Sequence, residues 1–499
     1  MRASVENAPK PGTPTATSPD LTYRALVCIC LGAVMFASRA WLAQAWGSAV
    51  PFMDEWDVEA NGLYRPFLDG TLHLRDLLRA HNEHHLLLTR ITDLLLFEAY
   101  GRWEPWSQLI LNAALHALTG AGLVALLWRP LSTGSRTALV LGVGVVFTSI
   151  CGWQNALLGI QSQVYYSNVL AVAAIAGLIL GRPLGLAWWA GWVAAVLALY
   201  AFAGGVFAAL SVLAITAFSL PAARRLPRTL LAFAVVALIP LAAFFLFREP
   251  PGQLPLHARN FGEYYAVIAR CLGWPHVTSP VAWIPLQLPA VWLVLWRARR
   301  GRFSLHDRCA LALVAFAAFQ AFAVAHNRGA GLIDYRPLSR YLDPLLLGVI
   351  GQWYCALRLT ERFGRPARLL AIGWAGIAAI GLLTLTTFNL SVNLPFKRDQ
   401  DRASLAQIRE YLAHPDPSIF TRDPLHPGPH PDRKVVEQVL ADPRLRPVLP
   451  AVFFTAEPET APGRLPWVIA HGRTLLVASI PLLLAVVLWP RRRAAAMDA

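Results

Sequence analysis

Charge is what this sequence has least of. Only 15% of its 499 residues are Asp, Glu, Lys or Arg, and Lys occurs at just three places, Lys10, Lys397 and Lys434. Soluble domains carry about a quarter charged residues, so a secreted water-soluble enzyme is excluded. Cysteine is scarce too, with six residues, no Cys-x-x-Cys pair and no metal-ligand spacing, which argues against zinc modules and dithiol redox motifs. A glycine-rich nucleotide-binding loop is missing, and no segment repeats. The net charge of +15 forms no single patch. Its arginines recur in short clusters between apolar runs, which is how topology signals are distributed, so nucleic acid is not the implied partner. Arginine in place of lysine hints at a GC-rich bacterial genome.

Apolar length is abundant. Hydrophobic residues make up 56% of the chain and the mean hydropathy is +0.46. A membrane-spanning helix needs roughly 20 apolar residues, and about twelve such runs are readable. The first covers 25 to 46; the others fall at about 107 to 128, 137 to 152, 164 to 180, 184 to 203, 205 to 221, 229 to 247, 281 to 296, 309 to 325, 341 to 357, 369 to 390 and 474 to 490. The expected fold is therefore an all-α polytopic membrane protein. Residues 1–24 read as a disordered cytoplasmic tail, 25–390 as the membrane core, 391–473 as a small, loosely built outer segment, and 474–499 as a last span with a basic tail.

Orientation follows from the loops. Arg129 to Arg136, Arg182, Arg224 to Arg228, Arg297 to Arg308 and Arg358 to Arg368 together hold fifteen Arg against two acids, Asp307 and Glu361, which places them and both chain ends on the cytoplasmic side. The opposite face carries two long hydrophilic segments, 47–106 and 391–473. The first has ten acids and five Arg between Pro51 and Trp106, and its stretches Leu63 to Ala80 and His85 to Tyr100 repeat apolar residues at helical spacing, predicting amphipathic helices on the membrane surface.

Three strings on that face carry candidate chemistry. Asp54-Glu55-Trp56-Asp57-Val58-Glu59 puts four carboxylates just past the first span, bracketed by Phe52 and Trp56. A carboxylate at the membrane surface can act as a general base toward an acceptor hydroxyl, although a solvated acidic loop has the same composition. His81-Asn82-Glu83-His84-His85 can hold a phosphate or a sugar by hydrogen bonds or bind a divalent metal, or it caps the following helix. Arg336, Ser339, Arg340, Tyr341 and Asp343 stand at the outer mouth of the tenth run, where arginine either anchors the helix or binds an anionic headgroup. Arg39, near the outer end of the first run, is read as snorkelling to the interface. Trp153-Gln154-Asn155 forms a polar, aromatic outer turn that suits an interfacial belt or a sugar.

An acidic pair just past the first span, surface helices after it, about a dozen spans and an outer segment before the last one together resemble the GT-C superfamily of polyprenyl-phosphate-sugar-dependent glycosyltransferases, near its protein O-mannosyltransferase and aminoarabinose-transferase branches. The Phe52 to Trp56 string with His81 to His84 and Ser339-Arg340-Tyr341 also resembles a group of uncharacterised bacterial membrane proteins placed near these enzymes. The resemblance implies a GT-C-like fold in the bacterial inner membrane with its active site on the periplasmic face. It implies a polyprenyl-phosphate-linked sugar as donor and a periplasmic glycan, lipid or protein as acceptor. By it Asp54 is the general base and Glu55 its neighbour; His81, Glu83, His84, Arg336, Arg340 and Tyr341 are expected to bind substrate. A divalent cation is left open, with Glu55, His81, Glu83 and His84 as candidate ligands. The sequence departs from the aminoarabinose branch in lacking its Glu-Lys-Pro element. The competing reading is a transporter or flippase of a lipid-linked saccharide, which should carry ionisable residues at mid-membrane. Asp343 is the only acid read within a span, and it lies at the outer mouth.

Overall fold

The computed structural model describes residues 18–218, 226–247, 251–299, 303–426, 428–455 and 466–497. The first 17 residues of the expected tail, residues 219–221 and 248–250, and Arg224, Arg225, Arg300 and Arg302 of the basic loops lie outside the described residues. Among those described, the chain is helical apart from one two-residue hairpin.

The chain enters through α1 (Ser18–Trp46) and then builds the first hydrophilic segment from a π-helix (Trp56–Tyr64), α2 (Arg65–Leu68), α3 (Leu74–Leu77), the strands β1 (Ala80–His81) and β2 (His84–His85), and α4 (Leu87–Tyr100). There follow α5 (Pro105–Leu127), α6 (Thr133–Thr148), α7 (Trp153–Ala156), α8 (Ser162–Leu180), α9 (Leu186–Ala201), α10 (Val206–Ala217), α11 (Leu226–Leu246), α12 (Phe261–Leu272), α13 (Trp283–Ala298), α14 (Leu305–Arg328), α15 (Asp343–Phe363) and α16 (Arg365–Phe388). The second hydrophilic segment contains α17 (Leu394–Ala413), α18 (Arg433–Ala441) and α19 (Trp467–Ala470) before α20 (Gly472–Met497).

Each of the twelve predicted runs forms a helix. Six helical stretches are long and apolar enough to cross a membrane: Asp20–Trp46, Pro105–Leu127, Gly159–Leu180, Pro227–Leu246, Leu305–Arg328 and Arg365–Ala413. Others are short; the 16 residues of α6 reach about 24 Å at 1.5 Å per residue, under the roughly 30 Å of a hydrocarbon core. The bundle has an apolar exterior, with Leu231, Phe244, Leu369, Leu383 and Val477 all exposed, as expected where lipid rather than water is the solvent. Helices α8 and α9 pack closely: a Cβ on Gly177 would stand 2.6 Å from the Cα of Gly191, so both positions need glycine. At the basic end, Asp307 accepts from Arg297 at 2.8 Å and Arg358 at 3.2 Å, and Glu361 takes Arg358 at 2.8 Å, so both acids of those loops are consumed by arginine.

Three expectations change. The tail does not extend to residue 24, because α1 begins at Ser18, with Asp20 in its first turn paired to Arg136 at 3.0 Å. The predicted helix from Leu63 to Ala80 is broken, because Gly70 adopts a left-handed φ of 66° after α2 and the chain restarts at α3. The described residues of 391–473, all but 427 and 456–465, are not loosely built. Helix α16 continues through a π turn at Asn389–Asn393 into α17, and the two hydrophilic segments share one hydrophobic core of Trp56, Tyr64, Phe97 and Trp103 with Ile408, Val436, Leu440 and Phe453. Trp56 lies parallel to Phe453 with ring centroids 6.2 Å apart; Arg65 pairs with Asp442 at 2.8 Å and Arg444 with Asp69 at 2.5 Å.

Candidate functional site

The turn after α1 separates the two acids that are neighbours in sequence. The Glu55 carboxylate accepts from the Phe52 N–H at 2.6 Å, closing a tight turn in which Met53 takes a left-handed φ of 53°. Its other oxygen accepts from the Gly159 and Ile160 amides at 2.6 and 3.3 Å, and Trp56 donates its indole N–H to the Pro51 carbonyl at 2.8 Å. Glu55 is thereby buried and structural. Burial pushes its carboxyl up to about 7 in spite of those three amides. Asp54 takes the opposite direction and remains 47% exposed.

Around Asp54 the structure gathers residues from distant parts of the chain. The β1–β2 hairpin, with Asn82 at a φ of 50° in its two-residue turn, sets the His81 Nε2 3.8 Å from the Asp54 carboxylate. This hairpin replaces the expected helix cap. The Met53 N–H donates to the Pro429 carbonyl at 2.8 Å, which brings His430 alongside. The His81 ring first, then the charges of Arg340 and His430, hold the Asp54 carboxyl below the usual carboxylate range against partial burial. Asp57 is held up by burial and by the charge of Asp54. Arg340 is positioned from its backbone: its N–H donates to Gln154 Oε1 at 3.2 Å and its carbonyl accepts from Asn155 at 3.1 Å, while its guanidinium lies 5.4 Å over the Tyr341 ring.

The remaining predicted residues are placed apart from this centre. Glu83 pairs with Arg328 at 2.5 Å and lies 3.6 Å from His84; burial opposes its ionisation, yet His84 and Arg328 hold its carboxyl low. His84 stacks on Phe202 at 4.3 Å, and burial pushes its ring down to about 4 against the pull of the Glu83 carboxylate. Glu55, His81, Glu83 and His84 therefore do not converge as a ligand set. Among the described residues the one cluster able to grip a cation is Asp54, Asp57 and His81, whose ligand atoms lie within 4.8 Å of one another; three ligands of this mixed type can hold a divalent ion with waters completing the shell. Arg336 is 51% exposed, 3.7 Å from Asp334.

Two cavities lie nearby, one beside the Gln154–Ser339 contact and the other against Asp57 and His81. One, of about 470 Å³, is lined by apolar side chains including Pro275, Val277, Leu342, Leu385 and Phe388, with Arg336 and Ser339 among its polar residues. The other, of about 460 Å³, is polar and includes Asp57 and His81 in its wall.

Beneath the site lies a group no motif announced. Glu59 and Asp93 are 0% and 1% exposed, and the Gln108 amide donates to both at 2.9 Å, with the Trp103 indole also on Glu59 at 2.8 Å. One oxygen of each carboxyl is left without a donor. Burial raises both, Asp93 to about 7 and Glu59 well above its ordinary value, with the charge of Glu55 adding to both and that of Asp93 to Glu59. Arg39 is also not where snorkelling would put it: it is 4% exposed, with Nη2 3.1 Å from His116 Nε2. Neither arrangement was readable beforehand, because Glu59, Asp93 and Gln108 are dispersed in sequence and His116 is a lone histidine in an apolar run. Comparison with protein-family models, curated proteins and solved structures returned no significant match.

Proposed function

We propose that the protein is a GT-C-like glycosyltransferase of the bacterial inner membrane, with twelve spans and a periplasmic active site, that moves a sugar from a polyprenyl-phosphate donor to a periplasmic acceptor. The observation that carries this reading is the half-exposed carboxylate of Asp54, held ionised by His81 and by the charges of Arg340 and His430, with a polar cavity against Asp57 and His81 and an apolar one at Ser339. The apolar cavity suits a prenyl chain entering from the lipid, and Arg336 or Arg340 suits its phosphate.

The reaction needs little beyond these groups, because a lipid phosphate already leaves well. Asp54 accepts the proton of the acceptor hydroxyl as its oxygen bonds to the anomeric carbon. The bond from that carbon to the phosphate oxygen breaks, the electron pair departs with the polyprenyl phosphate, and the arginines stabilise the charge. Attack from the face opposite the leaving group inverts the anomeric carbon. His81 orients Asp54. If a divalent cation is present, Asp54, Asp57 and His81 are the residues that would hold it, and it would add positive charge.

The buried Arg39, two of whose nitrogens have no partner, favours a second reading, transport of a lipid-linked saccharide. It lies seven residues before the end of α1, roughly 10 Å along the axis, and so no nearer that end than the midpoint of the helix. One comparison separates the readings. Cells lacking the protein should accumulate prenyl-phosphate-sugar and lose a sugar from a surface glycan, and the Asp54→Asn protein, expressed and inserted normally, should fail to restore either. Full rescue by Asp54→Asn would favour transport.

A further inference from the structure

The polar cavity has the features of a built binding site. Its wall carries three arginines, Arg65, Arg79 and Arg90, and three aspartates, Asp57, Asp69 and Asp76, so its lining is balanced in charge. Two of these are engaged by the second hydrophilic segment, Arg65 with Asp442 and Asp69 with Arg444. Others are not satisfied. Asp57 Oδ1, Asn61 Oδ1 and Arg90 Nε are buried atoms with no hydrogen-bond partner, and Arg90 as a whole is only 6% exposed. Its Nη1 is committed to the carbonyls of Asp76, Leu77 and Arg79, which fixes the guanidinium. Unpartnered donors and acceptors on rigid, planar polar groups are costly unless something completes them. The cavity volume, about 460 Å³, lies within the range that accepts a small ligand.

We propose that this cavity is the acceptor subsite and that the acceptor is a neutral saccharide, an inference that rests on the glycosyltransferase reading. Balanced lining charge disfavours a phosphorylated or polycationic ligand, and the lack of an apolar wall disfavours a lipid tail. A polyhydroxylated ring matches the mixture of donors and acceptors that Asp57, Asn61, Thr71, Asp76, Arg79 and His81 bring to the wall. Since Asp57 and His81 belong both to this wall and to the cluster around Asp54, a sugar seated here presents a hydroxyl toward Asp54. That hydroxyl oxygen forms the new bond to the anomeric carbon, its proton passes to Asp54, and the carbon–phosphate oxygen bond of the donor breaks with its electron pair on the phosphate.

The test uses the full chain in nanodiscs without donor, and saturation-transfer NMR with methyl glycosides of glucose, galactose, mannose and arabinose as the probes. At least one glycoside should bind, and its affinity should fall about tenfold or more in Asn61→Leu, which fills the cavity and removes an acceptor, and in the surface change Arg79→Ala. Absence of binding by every glycoside, or binding unchanged in both variants, overturns the assignment. Displacement of the glycoside signal by a Ser/Thr-rich peptide at lower concentration also overturns it, in favour of a protein acceptor. Release of polyprenyl phosphate from a prenyl-phosphate sugar by the unmodified protein is measured alongside. Release without glycoside binding removes the saccharide site and keeps the transferase; glycoside binding without release overturns the acceptor role.

Discussion

At the scale of the residue, the account depends on two adjacent carboxylates having opposite environments. Asp54 is partly solvated and held low by His81, Arg340 and His430, whereas Glu55 is buried and pushed up to about 7. Because the Asp54 pKa lies below its ordinary value of 3.8, the base form is complete at neutral pH and is lost only as pH falls through that lowered value. The acid limb of the pH–rate profile assigned to Asp54 should therefore lie below about pH 4, and an acid limb near pH 6 to 7 that moves in Asp54→Glu would contradict the assignment. The charge of Arg340 acts on this carboxylate, and its backbone is fixed by Gln154 and Asn155. Arg340→Ala should raise the donor KM several-fold more than the acceptor KM, since it removes a phosphate ligand; an unchanged donor KM would reduce Arg340 to an anchor stacked on Tyr341.

At the scale of the element, the surface helices rest on the Glu59–Gln108–Asp93 group. Its carboxyls have folded pKa values above their unfolded ones, so the folded state binds more protons and stability falls as pH rises toward and through about 7. The melting temperature of the detergent-solubilised protein should decline between pH 6 and pH 8. Glu59→Gln should shrink that decline, because the amide keeps an acceptor for Trp103 and Gln108, adds a donor for an oxygen that now lacks one, and removes a repelling charge. An equal decline in both proteins would show that the group does not govern the pH response. Part of this scale was legible in the sequence. Apolar runs located the helices of the bundle, and the spacing from His85 to Tyr100 gave α4, because helical periodicity is written locally. The break at Gly70 and the hairpin at His81 to His84 were not, since both depend on left-handed backbone at Gly70 and Asn82 that tertiary contacts select.

At the scale of the whole molecule, the centre is assembled from strings that sequence reading found separately and could not join. Asp54, His81 and Arg340 were each singled out, but nothing local shows that a Met53–Pro429 hydrogen bond delivers His430, or that Asp57 rather than Glu55 completes a cluster with His81. The joining is done by the shared core of the two hydrophilic segments, where Phe453 stacks on Trp56 and is 3% exposed. Phe453→Ala should cost about 3–5 kcal/mol in that core. Limited proteolysis should then cut within 391–473 and transfer should fall, with membrane insertion unchanged; a variant as protease-resistant and active as the parent would mean the segments are not coupled.

Sugar transfer from a lipid phosphate with Asp54 as the base yields free polyprenyl phosphate and glycosylated acceptor in equal amounts. The most direct measurement incubates the purified protein in nanodiscs with the prenyl-phosphate-sugar fraction and the delipidated glycan fraction of cells lacking it, and follows free polyprenyl phosphate and glycan-bound sugar together. Equal amounts of both products from the unmodified protein, falling about 10²- to 10⁴-fold in Asp54→Asn, are the predicted result. Polyprenyl phosphate and glycan-bound sugar released at the same rate by Asp54→Asn would contradict it.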